Sequence, residues 1–131
     1  MSNFIASITD IQRVHNLTLV TFNSFSEVLS MVGLELNPNL EVGSEVHLSV
    51  KATAVAIAKN FTGELSFTNQ IEMSIQKIEE GQLLSSLILT KNELTIESII
   101  TSKSLKRMNL LQGEKVTVLI KSSDLSIVEK N

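Results

Sequence analysis

Val46-His47-Leu48-Ser49-Val50-Lys51-Ala52-Thr53-Ala54-Val55-Ala56-Ile57 recurs as Val116-Thr117-Val118-Leu119-Ile120-Lys121-Ser122-Ser123-Asp124-Leu125-Ser126-Ile127, every matched pair separated by the 70 positions between Lys51 and Lys121. A glycine, Gly43 or Gly113, precedes each copy at the same interval. Apolar residues alternate along each copy, with Val46, Leu48 and Val50 on one face in the first and Val116, Val118 and Ile120 in the second. A period of two is the mark of a half-buried strand. Lys-Ala-Thr or Lys-Ser-Ser then breaks the alternation before Val55 and Ile57, or Leu125 and Ile127, resume it. Each copy therefore predicts two short strands joined by a tight corner. A repeat at fixed spacing favours two similar small modules over one continuous fold.

Upstream, Phe4 to Ile11 can be laid on Ile71 to Ile78 at a spacing of 67 rather than 70, so the second module carries a net insertion of three residues. Further strands are predicted over Leu17 to Phe22 and Glu27 to Leu36 in the first module, and over Leu83 to Thr90 and Leu94 to Thr101 in the second. Asn23-Ser24-Phe25 and Lys91-Asn92-Glu93 read as the turns between them, and Glu79-Glu80 as part of a turn ending at Gly81. Ser102 to Met108 is polar, unbranched and preceded by hydroxyl residues, which predicts a helical turn or two. The aligned stretch of the first module ends in Asn37-Pro38, which favours a turn instead. The expectation is an all-β chain of two small, five-stranded barrels of the oligonucleotide/oligosaccharide-binding type in tandem, over residues 1–60 and 66–131, with a linker at about 60–65. Each would carry a short helical turn or loop. The rival is a single continuous β-sandwich.

Composition narrows the function. The chain has 131 residues, 43% hydrophobic and 19% charged, and modules of half that length sit near the lower limit for a self-sufficient core, so packing between modules or into a homo-oligomer is expected. A net charge of −3, no basic cluster longer than Lys106-Arg107 and no Trp or Tyr argue against a nucleic-acid partner. With no cysteine there are no disulfides or thiolate sites. No secretory pattern opens the chain and no apolar run approaches the roughly 20 residues that span a bilayer. A cytoplasmic protein without a membrane partner is expected.

Two constellations carry candidate chemistry. A tetrahedral dianion offers only acceptor oxygens, so its site needs several inward N–H and O–H donors and modest positive charge. Lys51 with the amides of Ala52 and Thr53 and the Thr53 hydroxyl meets that need, as does Lys121 with Ser122 and Ser123. A Ser/Thr turn with a lysine extending off a strand end explains the same residues. Thr101 and Ser104, at the start of the predicted helical turn, are candidates both as anion ligands and as helix caps. His15 and His47 lack any metal-ligand spacing, and no Gly-x-Ser-x-Gly, phosphate loop or dinucleotide fingerprint occurs, so neither a metal site nor an enzyme is expected.

The run Gly113 to Ser123, following Ile99-Ile100-Thr101-Ser102-Lys103-Ser104, resembles the molybdate-binding MOP module, also called the TOBE or molbindin domain, and Val50 to Ala58 resembles the end of the same module. The resemblance implies tandem barrels, a homo-oligomer such as a dimer or trimer, and molybdate or tungstate as a bound ligand between subunits or modules, with no covalent cofactor. The family's opening Ser-Ala-Arg-Asn falls on Ser66-Phe67-Thr68-Asn69, which implies Ser66, Thr68 and Asn69 as ligands, with Thr68 in place of the arginine. Its Thr-x-x-Ser falls on Thr101 and Ser104, and its terminal lysine motif on Lys121, Ser122 and Ser123. In the first module only Lys51, Ala52 and Thr53 match. The resemblance implies storage or homeostasis of the oxyanion. The alternative is a regulatory or dimerising module of the same fold that has lost or weakened the ligand.

Overall fold

In the computed structural model, which describes residues 2–128, the repeat becomes two five-stranded antiparallel sheets. Strands β1 (Ser2–Val14), β2 (Leu17–Ser24), β3 (Glu27–Leu34), β4 (Glu45–Val50) and β5 (Ala56–Ala58) come from the first repeat. Strands β6 (Asn69–Glu80), β7 (Leu84–Lys91), β8 (Leu94–Thr101), β9 (Lys115–Ile120) and β10 (Ser126–Val128) come from the second, with a helix, α1 (Ser102–Arg107), between β8 and β9. The sheet orders are β10-β4-β1-β2-β3 and β5-β9-β6-β7-β8. The last short strand of each repeat has thus crossed to the other repeat's sheet. Ala56, Ile57 and Ala58 pair with Leu119, Val118 and Thr117, while Ser126, Ile127 and Val128 pair with Ser49, Leu48 and His47.

The exchange follows from the corner that the sequence predicts. A 3-10 turn at Ala52–Ala54, and another at Ser122–Asp124, redirects the chain after β4 and β9. Each leads with lysine in extended backbone, φ −72 and ψ 137 at Lys51 against φ −67 and ψ 145 at Lys121. The first apolar residue beyond each turn, Val55 or Leu125, is buried at 2% or 3% exposure. Burying such a side chain contributes roughly 1.5–3 kcal/mol, and it does so here beside the other repeat's strands. Buried residues from both sheets form one continuous cluster that takes in Phe4, Phe22 and Leu48 from the first repeat and Ile71, Ile96 and Leu125 from the second.

The repeated glycines have a backbone cause. β1 is bulged between Ile8 and Asp10, and β6 at the corresponding place between Ile75 and Lys77. Gly43 N–H donates to the Ile8 carbonyl at 2.8 Å and Gly113 N–H to the Ile75 carbonyl at 2.7 Å, from φ of +93° and +89°. That conformation is open to glycine and strained for other residues. Several boundaries move from their sequence expectation. β1 and β6 are longer than predicted, and Glu79-Glu80 completes β6 because pairing with Ser86 and Ser85 continues past the apolar pattern. β2 runs through Ser24, leaving Phe25 and Ser26 at positive φ to make the turn. β3 stops at Leu34, where Glu35 takes φ +52° ahead of Pro38.

Candidate functional site

The strand exchange decides which candidate residues meet. Because β5 leaves the first corner along β9 and β10 leaves the second along β4, both corners lie where the exchanged strands cross. Ser49, Lys51, Ala54, Ser123, Asp124 and Ser126 line one cavity of about 250 Å³ there. Lys51, Thr53, Lys121 and Ser123 are exposed, Ser122 is half-buried and Ala52 is buried. Ala54 N–H donates to the Lys51 carbonyl and Asp124 N–H to the Lys121 carbonyl, both at 2.9 Å. The N–H groups of Ala52, Thr53, Ser122 and Ser123, at the start of each turn, have no acceptor within it. The cluster thus offers cationic, hydroxyl and amide donors together, with one opposing carboxylate, Asp124, where the first repeat has Ala54.

Asn69, at the first position of β6, is wholly buried, and its amide is engaged. Ser30 N–H donates to Asn69 Oδ1 at 2.7 Å, and Asn69 Nδ2 donates to the Ser30 carbonyl at 2.9 Å. The equivalent contact in the other half runs from Glu97 N–H to Ser2 Oγ at 2.9 Å. Both stitch the start of a long strand to the edge strand of the opposite sheet. Ser98 Oγ adds a 2.7 Å bond to the Val55 carbonyl just past the first corner. The Ser30 hydroxyl is buried without a partner among the described residues. Ser66 and Thr68, in the segment before β6, are exposed.

Thr101 and Ser104 stand apart from the corners. Thr101 ends β8, three residues and about 10 Å of strand beyond the Ser98 contact, in the direction that β5 takes away from the corner. Its Oγ1 accepts from Ser104 N–H at 3.1 Å and donates to Ser104 Oγ at 3.0 Å, so it caps α1. Lys59, beyond β5, closes the other end of that helix, donating to the carbonyls of Met108 at 2.9 Å and Asn109 at 3.0 Å and pairing with Glu114 at 2.9 Å. The hydrogen bond from Lys59 holds the Glu114 carboxyl below the usual carboxylate range.

Sequence reading missed Ser30, Ser49, Ser98 and Asp124. The signal for Ser30 was available, since it lies 67 positions before Glu97, as Ser2 does before Asn69. Ser98 has Met31 as its counterpart and left no such trace. Among the described residues no group of three or more His, Asp or Glu side chains could hold a metal ion. No helix there is long and apolar enough to cross a membrane.

Two five-stranded sheets joined by reciprocal exchange of their last strands define a tandem-repeat β protein. Residues 66–127, the second repeat, match the TOBE domain model. A solved structure of the cytoplasmic molybdate-binding protein ModG, with molybdate bound, superposes at a TM-score of 0.91 with 20% identity, over 96% of this chain and 94% of that one. The fold is therefore that tandem fold. A molybdate-binding protein from Sporomusa ovata aligns over 51% of this chain and 100% of its own, at 22% identity and a TM-score of 0.49. Comparison with curated proteins found no match.

Proposed function

We propose that this chain is a cytoplasmic molybdate- or tungstate-binding protein serving storage or homeostasis of the oxyanion, and that it is not an enzyme. The observation that carries the proposal is the cavity at the strand crossing to which both corners contribute, Lys51 and Ala54 from the first and Ser123 and Asp124 from the second. Lys51 and Ser123 line that cavity, and on the same two turns Lys121 would add charge, Thr53 and Ser122 hydroxyls, and Ala52, Thr53, Ser122 and Ser123 their N–H groups. The likeness to ModG, described as binding molybdate in the cytoplasm, supports the reading. In it, the repeats at residues 1–60 and 66–131 build two barrels of the oligonucleotide/oligosaccharide-binding type, each taking its last strand from the other repeat, and the chain forms a dimer or trimer. Thr101 and Ser104, held away from the corners within one chain, then act at a site shared between subunits.

Calorimetry with molybdate, tungstate, sulfate and phosphate tests it: heat is expected with molybdate and tungstate, and none with any oxyanion would end the proposal. Lys121→Ala should abolish binding and leave assembly intact. A second reading, a regulatory or dimerising module with weakened ligand binding, draws on two observations. Asn69 is engaged by Ser30, and Thr101 and Ser104 bond to each other. Under that reading Lys121→Ala changes neither binding nor assembly.

A further inference from the structure

The two repeats part company between their third and fourth strands, where residues 35–44 join β3 to β4 and the longer stretch 102–114 joins β8 to β9. The longer connection holds α1, which lies against β7 and β8 and buries Leu105, with Leu110 buried just beyond it. The shorter one builds no helix, since Glu35 turns at φ +52° and Pro38 follows. In its place is a cavity of about 490 Å³, walled by Met31, Leu34, Leu36 and Leu40 of the first repeat and by Leu125 and Ile127 of the second. Ligand sites typically enclose roughly 300–1,000 Å³. The two places correspond: β10 borders the cavity beside β3 and β4, and Lys59, directly after β5, fastens the end of α1 beside β8. The rim is held in shape, because Glu35 N–H donates to the Asn16 carbonyl at 2.9 Å, Leu40 N–H to the Asn37 carbonyl at 3.3 Å and Asn39 N–H to Asn37 Oδ1 at 2.9 Å. A wall already ordered loses little entropy on contact.

The charge of the rim narrows what would fit. Glu35, Glu41 and Glu45 are all exposed, and the stretch they span holds no lysine or arginine. Among the described residues no lysine or arginine lines the cavity either. The second repeat shows the kind of element that suits such a place, since α1 buries Leu105 while Lys103, Lys106 and Arg107 stay exposed. An apolar stripe with cations on the remaining faces makes a basic amphipathic helix. Such a helix docks its stripe into an apolar groove, and an acidic rim steers and orients it.

We propose that the first-repeat cavity is a docking site for a different protein, which inserts a short basic amphipathic helix where the second repeat places α1. The apolar stripe of that helix meets Met31, Leu36 and Ile127, and its lysines or arginines meet Glu35, Glu41 and Glu45. Because α1 already fills the matching place in the second repeat, one chain takes one partner. The docking requires nothing of the lysine corners.

The probe is a fluorescein-labelled synthetic helix of about 16 residues, leucines on one face and lysines and arginines on the others, followed by anisotropy as the full chain is added. Saturation at one peptide per chain is expected, and a peptide of the same composition with its leucines spread round the helix should not bind. Leu36→Trp fills the cavity at unchanged charge and should weaken binding at least about tenfold. Glu35→Lys combined with Glu41→Lys should weaken it several-fold and reduce its sensitivity to salt. Urea midpoints close to wild type establish that the variants fold, and Leu34→Asn, at a position 66% exposed, serves as the cavity variant if Leu36→Trp does not. No binding by the wild type, equal binding of the two peptides, or undiminished binding by the folded cavity variant overturns the proposal. So does light scattering in which the peptide binds only by dissociating a wild-type oligomer, which assigns the cavity to a second copy. Octylamine that saturates the chain when the peptide does not bind assigns the cavity to a small amphiphile and overturns it as well.

Discussion

Asn69→Ala should destabilise the protein by about 2–4 kcal/mol, with no ligand present. The side chain is wholly buried and holds both backbone groups of Ser30, at 2.7 and 2.9 Å. Removing it strands an N–H and a carbonyl between the sheets, and each buried polar group left unpaired costs roughly 1–3 kcal/mol. Two such groups sum to about 2–6 kcal/mol, and water entering the space vacated by the amide recovers part of the larger figure, which sets the upper bound. Urea unfolding followed by circular dichroism is the assay. With a slope of about 2 kcal/mol per molar, usual for small proteins, the midpoint should fall by about 1–2 M. Asn69→Ser should fall between, because a hydroxyl at this position can accept the Ser30 N–H as Ser2 accepts that of Glu97. An Asn69→Ala midpoint within about 0.2 M of wild type would refute the reasoning and leave Asn69 free to act on ligand alone.

Gly43→Ala and Gly113→Ala should each cost roughly 1–2 kcal/mol through positive φ alone, since an added Cβ meets nothing within 4 Å at either site. The two losses should add in the double variant, measured by the same unfolding assay. Lys59→Met should cost about 1–2 kcal/mol by freeing the carbonyls at the end of α1. Glu114 is lowered in the fold, so its ion pair contributes above the unfolded value near 4.3 and is lost as pH falls through the folded one. The stability gap between wild type and Lys59→Met should therefore narrow below about pH 4, and a gap that widens there contradicts the pairing. Asp124→Ala should tighten molybdate binding several-fold by removing the carboxylate from the corner cavity, and calorimetry showing weaker binding would count against that cavity as the site.

Periodicity made most of the strands legible: β8 runs from Leu94 to Thr101, as the alternation predicts, and α1 covers the polar run from Ser102 to Arg107. The repeat also located both corners. What it concealed was the destination of the strand after each corner. Val55-Ala56-Ile57 would alternate in the same way on either sheet, so period two carries no record of its partner. The candidate site was hidden for the same reason. Chain order groups Thr101 and Ser104 with Lys121, whereas the exchange places the Lys121 corner beside that of Lys51 and leaves the helix cap at the far end of β8. Asn69 was legible as a motif residue, but its hold on Ser30 depends on contact between sheets that no local pattern encodes.

The exchanged strands make the two halves obligate companions. Cleavage in the segment between Ala58 and Asn69 would leave each fragment carrying the closing strand of the other, so the nicked protein should migrate as one body until denatured. Joining the halves in one chain also fixes their ratio at one to one. That constraint lets them diverge without losing each other, one keeping a helix over its sheet and the other an open hollow, an inequality that two identical free modules could not maintain.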